Sequence, residues 1–217
     1  MIVTIDGPAG SGKSTAARGL AERLGFEFLD TGAMYRAVAL ALTRANIDFS
    51  DQERVDPFLE ALELELPPGR VIMNGEDVSV EIRTPEISAA ASKVAAFAHV
   101  RRDLVEQQRI IAHKRRFVCE GRDQGTVAFP DAECKFFLTA SPEARAERRH
   151  RELLEHGQSI PIEQVLAEQH ERDDRDSSRD VAPLRTADDA IVIDTSNMTL
   201  EQVLDRMEGE VRRCLPG

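Results

Sequence analysis

The chain is poor in lysine, in cysteine and in long apolar runs, and each scarcity excludes something. Of its 28 basic residues only Lys13, Lys93, Lys114 and Lys135 are lysines, against 39 acidic residues, for a formal net charge of −11. Tracking a long nucleic-acid polymer wants a basic face, so no such partner is expected. Cys119, Cys134 and Cys214 form neither a C-x-x-C pair nor an even-numbered framework. They read as reduced thiols of a cytoplasmic protein rather than a disulfide scaffold. No run reaches the roughly 18 apolar residues of a membrane span. The opening MIVTID lacks a basic region and a cleavage site, so no secretory signal is expected. Internal repeats, low-complexity tracts and Pro/Gly/Ser-rich linkers are missing as well.

What is present is an α/β pattern. A chain of 217 residues suits one domain with a single core, with room for an inserted piece. Short apolar runs at 2–6, 26–29, 117–121, 135–139 and 190–194 predict strands, and helical patterns between them predict crossover helices on a parallel sheet. One helix spans 13–24 with Gly25 as its C-terminal cap, and a second spans 33–45. A third opens at Ser141-Pro142, and the last at Thr199, where Gln202 completes a capping box. Between about 62 and 97 the alternation breaks. There Asn74-Gly75 predicts a hairpin and Thr84-Pro85 starts an Ala-rich helix, together a small β-plus-helix insert.

The strongest motif is Gly7-Pro8-Ala9-Gly10-Ser11-Gly12-Lys13-Ser14, followed by Thr15, which fits G-x-x-x-x-G-K-[ST] at every fixed position between a strand and a helix. Its glycines let backbone N–H groups converge on a β-phosphate at a helix N-terminus. Lys13 would reach the β- and γ-phosphates, and the Ser14 hydroxyl would ligate Mg²⁺ brought in as Mg-ATP. Holding a triphosphate does not fix its fate. Neither D-x-x-G nor N-K-x-D occurs, which counts against a GTPase switch, and Phe117-Val118-Cys119-Glu120 only weakly matches a hydrolytic ATPase strand.

Three further stretches group arginine, whose rigid fork suits phosphate oxygens, with short polar residues. In Leu29-Asp30-Thr31-Gly32-Ala33-Met34-Tyr35-Arg36, Thr31 and Arg36 could hold a phosphate and Tyr35 offers a ring or hydroxyl, just past a strand's carboxyl end. Glu120-Gly121-Arg122-Asp123 closes the third strand. In Glu171–Arg179 a helix would set Arg172, Arg175 or Asp176, and Arg179 on one face. A capped helix start, a structural ion pair and a salt-bridged surface helix, respectively, also fit these stretches.

Taken together, IDGPAGSGKST, LDTGAMYR, the insert ending NGEDVSVEIRTPEISAAASKVAAF, EGRDQGTVAFPDA and ERDDRDSSRDVAPL resemble the bacterial cytidylate kinase family over nearly the whole chain. The resemblance implies a P-loop fold of the nucleoside monophosphate kinase type: a five-stranded parallel sheet flanked by helices, an insert at about 62–97 enlarging the monophosphate-binding part, and a short helical lid at about 145–160. It implies transfer of the γ-phosphate of ATP to CMP or dCMP in pyrimidine metabolism, with Mg²⁺; a monomer is expected. Carried over by position, Gly7 to Thr15 hold ATP, and Arg36, Arg122 and Arg179 hold the acceptor phosphate. Arg172 and Asp176 lie near its sugar and phosphate, Ser92, Arg101 and Asp123 read the base, and Thr31 and Tyr35 belong to the same CMP site. Lys13, Arg122 and the lid arginine Arg149 serve catalysis. The family usually carries Asp at the position of Glu120 and commonly Ser at that of Thr31.

Chemistry agrees with the base-reading trio. Cytosine pairs an N4 amine donor with N3 and O2 acceptors, a match for a carboxylate beside an arginine. An acceptor phosphate is already an oxyanion, so no general base is required, and the transition state needs alignment and charge neutralisation. Accordingly His99, His113, His150, His156 and His170 show no metal spacing or triad and read as surface or structural residues. Two other readings stay open at this level. One is a kinase of UMP or of a hydroxylated metabolite, with Asp123 as base; the other is a nucleotide switch or ATPase that transfers nothing.

Overall fold

The first strand is built from consecutive β-branched residues that need burial on both faces, and it takes the middle of the sheet. β1 (Ile2–Asp6) lies in the order β2-β6-β1-β7-β8, with β2 (Glu27–Asp30), β6 (Phe117–Glu120), β7 (Cys134–Thr139) and β8 (Ile191–Asp194). β1 runs parallel to β6 and β7, and β7 to β8, completing the expected five-stranded parallel sheet. The computed structural model describes residues 1–155 and 157–214; His156, part of the expected lid, lies outside the described residues. Contacts divide the chain into two compact units: Met1–Phe28 with the chain from Lys114 on, and Leu29–His113.

In the first unit, α1 (Lys13–Leu24) and α8 (Leu200–Cys214) cover the sheet. Leu20, Leu204, Met207 and Val211 close over Val3, Ile5, Phe136 and Ile193. Each such fully buried side chain contributes about 1.5–3 kcal/mol. α1 ends where Gly25 turns left-handed at φ 65°. α8 opens with a reciprocal capping box, Thr199 N donating to Gln202 Oε1 and Gln202 N to Thr199 Oγ1. α6 (Pro142–Glu155) and α7 (Ile162–Ser178) pair through Ala146, Leu153 and Val165, and Ser141 Oγ caps α6 by accepting from Ala144 N.

The second unit is helical around one small sheet. α2 (Thr31–Arg44) is buried along almost every position from Ala33 to Leu42, which explains its apolar composition on all sides. It starts two residues before the predicted position because the Asp30 carboxylate accepts from Ala33 N at 2.8 Å. β3 (Leu64–Glu65), β4 (Ile72–Met73) and β5 (Glu76–Asp77) form an antiparallel sheet. Its predicted hairpin is present, with Asn74 at φ 49° and Gly75 at φ 80°. After a 3₁₀ turn at Glu81–Arg83 comes α4 (Pro85–Val94), capped by Thr84. The apolar pattern does not announce α3 (Gln52–Glu60) or α5 (Ala98–Ala112). α3 is rich in charge and carries Pro57 inside; α5 opens without a side-chain cap and buries His99, Arg101 and Gln108 among its apolar residues.

Gly7 fixes how the chain leaves β1. Its φ is 150°, and a Cβ there would lie 2.0 Å from the Leu138 carbonyl oxygen on β7. Backbone cannot yield as a flexible side chain does. Gly7→Ala is expected to cost more than about 2 kcal/mol of folding stability. Urea unfolding checks this, and an unchanged midpoint would contradict the tight approach of the loop to β7.

Candidate active site

The loop between β1 and α1 places its left-handed glycines, Gly10 at φ 75° and Gly12 at φ 82°, where an L-residue would be strained. A Cβ on Gly10 would also press on Gln169 Nε2 and on Arg145. At the helix start Lys13 is buried, its Nζ donating to Pro8 O at 3.1 Å. Burial pushes its ammonium down to about 7; Arg122 adds to the push and Glu120 opposes it. An arriving polyphosphate supplies the counter-charge that this lysine needs. Ser14 Oγ donates to Glu120 Oε1 at 2.7 Å. A hydroxyl beside a carboxylate is a donor set suited to a hard cation such as Mg²⁺. Among the described residues no three His, Cys, Asp or Glu side chains converge as a metal site. Ser14 would be the protein oxygen facing such a cation, with phosphate oxygens and water as its other ligands.

β6 delivers the next group. Gly121 N donates to Ile5 O at 3.0 Å, and the chain then presents Arg122 and buried Asp123. Arg122 Nε donates to Asp176 Oδ2 at 2.9 Å, joining this turn to α7. Burial works against both charges, yet each partner outweighs it. Asp176 is held below the usual carboxylate range by Arg122 and Arg172, and Arg122 is held above its usual value by Asp176. A π-turn, Gln124–Ala128, follows, and its first two amides donate to Asp6. Burial pushes Asp6 up to about 7 in spite of those two hydrogen bonds.

Arg179 departs from expectation. α7 carries Arg172 and Asp176 but ends at Ser178; Arg179 is extended at φ −64°, ψ 140°, so it does not share their helical face. The chain doubles back here, with Leu184 N donating to Asp176 O and Arg179 Nε to Ala182 O. On α6, Arg149 lies at the surface paired with Glu152. Two neighbours reach inward instead. Arg145 Nη1 donates to Ala9 O at 3.1 Å and pairs with Asp173 at 2.6 Å, while Arg148 bonds Thr195 Oγ1 and O. Beside the loop a cavity of about 370 Å³ is lined by Gly12, Thr15, Arg148, Thr195, Met198 and Leu200.

In the second unit Thr31 opens α2, and Arg36 pairs with Asp30 at 3.3 Å. Arg36 Nε and Ser92 Oγ are buried polar atoms without a protein hydrogen bond. The Arg101 guanidinium, buried on α5, lies 5.6 Å from the centre of the Tyr35 ring. Thus α2 brings three of the residues singled out from sequence, Thr31, Tyr35 and Arg36, while α4 brings Ser92 and α5 Arg101. The pattern did not reveal Asp6 or Thr195, and it set Arg145 and Arg148 on the lid helix beside Arg149 without showing that these two reach inward. An acid closing an otherwise apolar strand was the only available signal for Asp6.

A family model described as cytidylate kinase matches residues 3–213. The cytidylate kinase of Rhodopirellula baltica is 48% identical over 215 residues, covering 99% of this chain and 94% of that protein. That of Thermosipho melanesiensis is 51% identical over 205 residues, covering 94% of each. Among solved structures, TT1252 from Thermus thermophilus aligns with a TM-score of 0.50 at 22% identity, covering 100% of this chain and 98% of that one. An uncharacterized protein from Eubacterium ventriosum aligns at 0.53 with 12% identity and 98% coverage of both. These two structures show the fold alone.

The raised Asp6 has a consequence for stability. Its carboxyl holds a proton more tightly folded than unfolded, so the folded chain binds more protons from about pH 4 to about pH 7. Stability from this group is therefore greatest at acid pH and falls as pH rises through that window. Asp6→Asn cannot titrate. The difference in unfolding midpoint between variant and wild type should shift in the variant's favour as pH rises from 4.5 to 8, in thermal scans of about half-unit steps. A difference independent of pH would mean Asp6 does not titrate in that range.

Proposed function

The chain belongs to the cytidylate kinase family, and on that premise we propose that it transfers the γ-phosphate of ATP to CMP or dCMP, giving ADP and CDP or dCDP. The observation that carries this is a phosphate loop whose Lys13 is buried short of negative charge, with Arg122 fixed by Asp176 in the same unit. The other acceptors considered from sequence, UMP or a hydroxylated metabolite, and a switch without transfer, are not favoured by relatives of this coverage.

The loop amides from Gly7 to Gly12 would wrap the β-phosphate, with Lys13 between β and γ and Thr15 at the α1 start. Ser14, with Glu120 behind it, would hold Mg²⁺, which supplies positive charge to the phosphate oxygens. The cavity between Gly12 and Met198 is a fitting seat for the donor base. In the first unit Arg122, Arg172 and Arg179 are proposed to hold the acceptor phosphate, Asp176 to orient Arg122, and Asp123 to accept from the cytosine amine. In the second unit Thr31, Tyr35, Arg36, Ser92 and Arg101 are proposed to belong to the CMP-binding set; the orphaned Ser92 Oγ and Arg36 Nε support this. Residues 145–160 serve as the lid, where Arg149 exchanges Glu152 for donor phosphate oxygens on closure. Exclusion of water then protects ATP from hydrolysis. No helix among the described residues is long and apolar enough to cross a membrane, and we place the reaction in the cytoplasm, performed by a monomer.

Initial rates over a panel of nucleoside monophosphates at fixed Mg-ATP test the proposal. CMP and dCMP are expected to lead; ATP consumption at one pace with or without a cytosine nucleotide would overturn it. Asp123→Ala is expected to raise KM for CMP by about tenfold or more, with KM for ATP nearly unchanged, as removal of one buried base contact should. Lys13→Ala should lower kcat by about 100-fold or more, the scale of losing a charge aimed at the transferring group. Steady-state kinetics with each substrate varied in turn separates the two effects.

A further inference from the structure

Asp6 is the last residue of β1 and immediately precedes the phosphate loop, yet its carboxylate bonds to the turn after β6. It is 4% exposed, and each of its two oxygens accepts one backbone amide: Oδ1 from Gln124 N and Oδ2 from Gly125 N, both at 2.8 Å. Those amides lie directly after Arg122 and Asp123. Directly before that pair, Gly121 N is bonded to Ile5 O. The Arg122-Asp123 dipeptide is therefore anchored at both ends to the last two residues of β1.

The far side of the turn is equally confined. A Cβ on Gly125 would lie 3.0 Å from Thr4 Oγ1 and 3.2 Å from Lys135 Cδ. Lys135 is itself fixed, bonded to Asp189 at 2.8 Å and to Pro130 O. The turn has no room to move toward the sheet, and the Asp6 carboxylate, together with the Gly121–Ile5 and Arg122–Asp176 bonds, holds it from moving away.

We propose that Asp6 is a positioning residue that locks the Arg122-Asp123 turn to the start of the phosphate loop, so that its loss weakens the acceptor far more than the donor. The proposal rests on the acceptor assignment above for what the turn reads. The residue type follows from the hydrogen bonds. Two adjacent N–H donors in a dry site need two acceptor oxygens, which aspartate offers and asparagine does not. In Asp6→Asn the carboxamide NH₂ faces one of the amides, leaving two donors opposed and a buried N–H without a partner. A residue needed only for its shape would tolerate asparagine, which is nearly isosteric.

The experiment compares wild type with Asp6→Asn at about pH 8, where Asp6 is ionised and both its oxygens accept, by calorimetric binding of CMP without ATP, and by steady-state kinetics. CMP affinity is expected to fall about tenfold or more, with KM for CMP rising in proportion and KM for ATP staying within about twofold. Equal losses for both nucleotides, or unchanged CMP binding, would overturn the proposal. A second measurement needs no variant and no substrate. In the wild-type protein the Gln124 and Gly125 amides should exchange with deuterium at least about 100-fold more slowly than open amides. Exchange at the open rate removes the clamp, whatever the variant does. If wild type fails to bind CMP while these amides are protected in it and lose protection in Asp6→Asn, the acceptor assignment falls and the clamp stands.

Discussion

The site depends on keeping positive charge buried and aimed before any nucleotide arrives. Burial alone drives an ammonium or a guanidinium toward neutrality or exposure. The chain solves this differently at two cations of the site, buried Lys13 and half-buried Arg122. Arg122 is given a permanent partner in Asp176, so its charge is secure and its direction fixed. Lys13 is given a carbonyl oxygen and no carboxylate in direct contact, and burial pushes its ammonium down against the weaker pull of Glu120 and Asp176. The first arrangement yields geometry; the second yields affinity, because the missing counter-charge is the ligand itself. Both lie in one unit at the carboxyl ends of β1 and β6, so in the roles proposed above a rigid acceptor-side cation would stand beside an anion-hungry donor-side one.

That division also explains the skew from lysine to arginine. Of the four lysines, Lys13 and Lys135 are buried, and each performs a task that a compact ammonium can: one faces the phosphate loop and the other ties β7 to Asp189. Where several acceptors must be met at once, arginine appears. Arg145 bonds Ala140 O, Ala9 O and Asp173, linking α6, the loop and α7 through one planar group. Arg148 makes two bonds to Thr195, whose hydroxyl in turn donates to Ser11 O. The loop is thus supported from its outer side by α6 and by the segment that follows β8.

How far this was legible in the sequence follows the range of the interactions. The loop, α1 with its Gly25 cap, the Asn74-Gly75 hairpin and the Thr199–Gln202 capping box all rest on contacts within a few residues, and their signatures survive in the linear text. The Asp6 clamp joins residues 118 and 119 positions apart, and Arg145 meets Ala9 across 136. Nothing local marks either. Arg179 shows the opposite failure. Helical spacing was extrapolated through a Ser-Ser-Arg stretch where the backbone turns back on itself, so a local rule was applied one residue too far. α5 was hidden because its buried face includes His99, Arg101 and Gln108, polar residues that blur an apolar stripe.

Glu120 brings these strands together. Where the family usually carries Asp, this chain has one more methylene, and its carboxylate accepts the Ser14 proton at 2.7 Å. A hydroxyl that donates to a carboxylate on one side has its lone pairs turned to the other. Those lone pairs are what a cation beside the loop would meet, so the glutamate prepares Ser14 as a ligand without needing to be one. The same carboxylate lends Lys13 part of the counter-charge it lacks and helps hold the charge of Arg122. One acidic side chain at the end of β6 therefore sets the hydroxyl of the donor site and the charge balance of both cations.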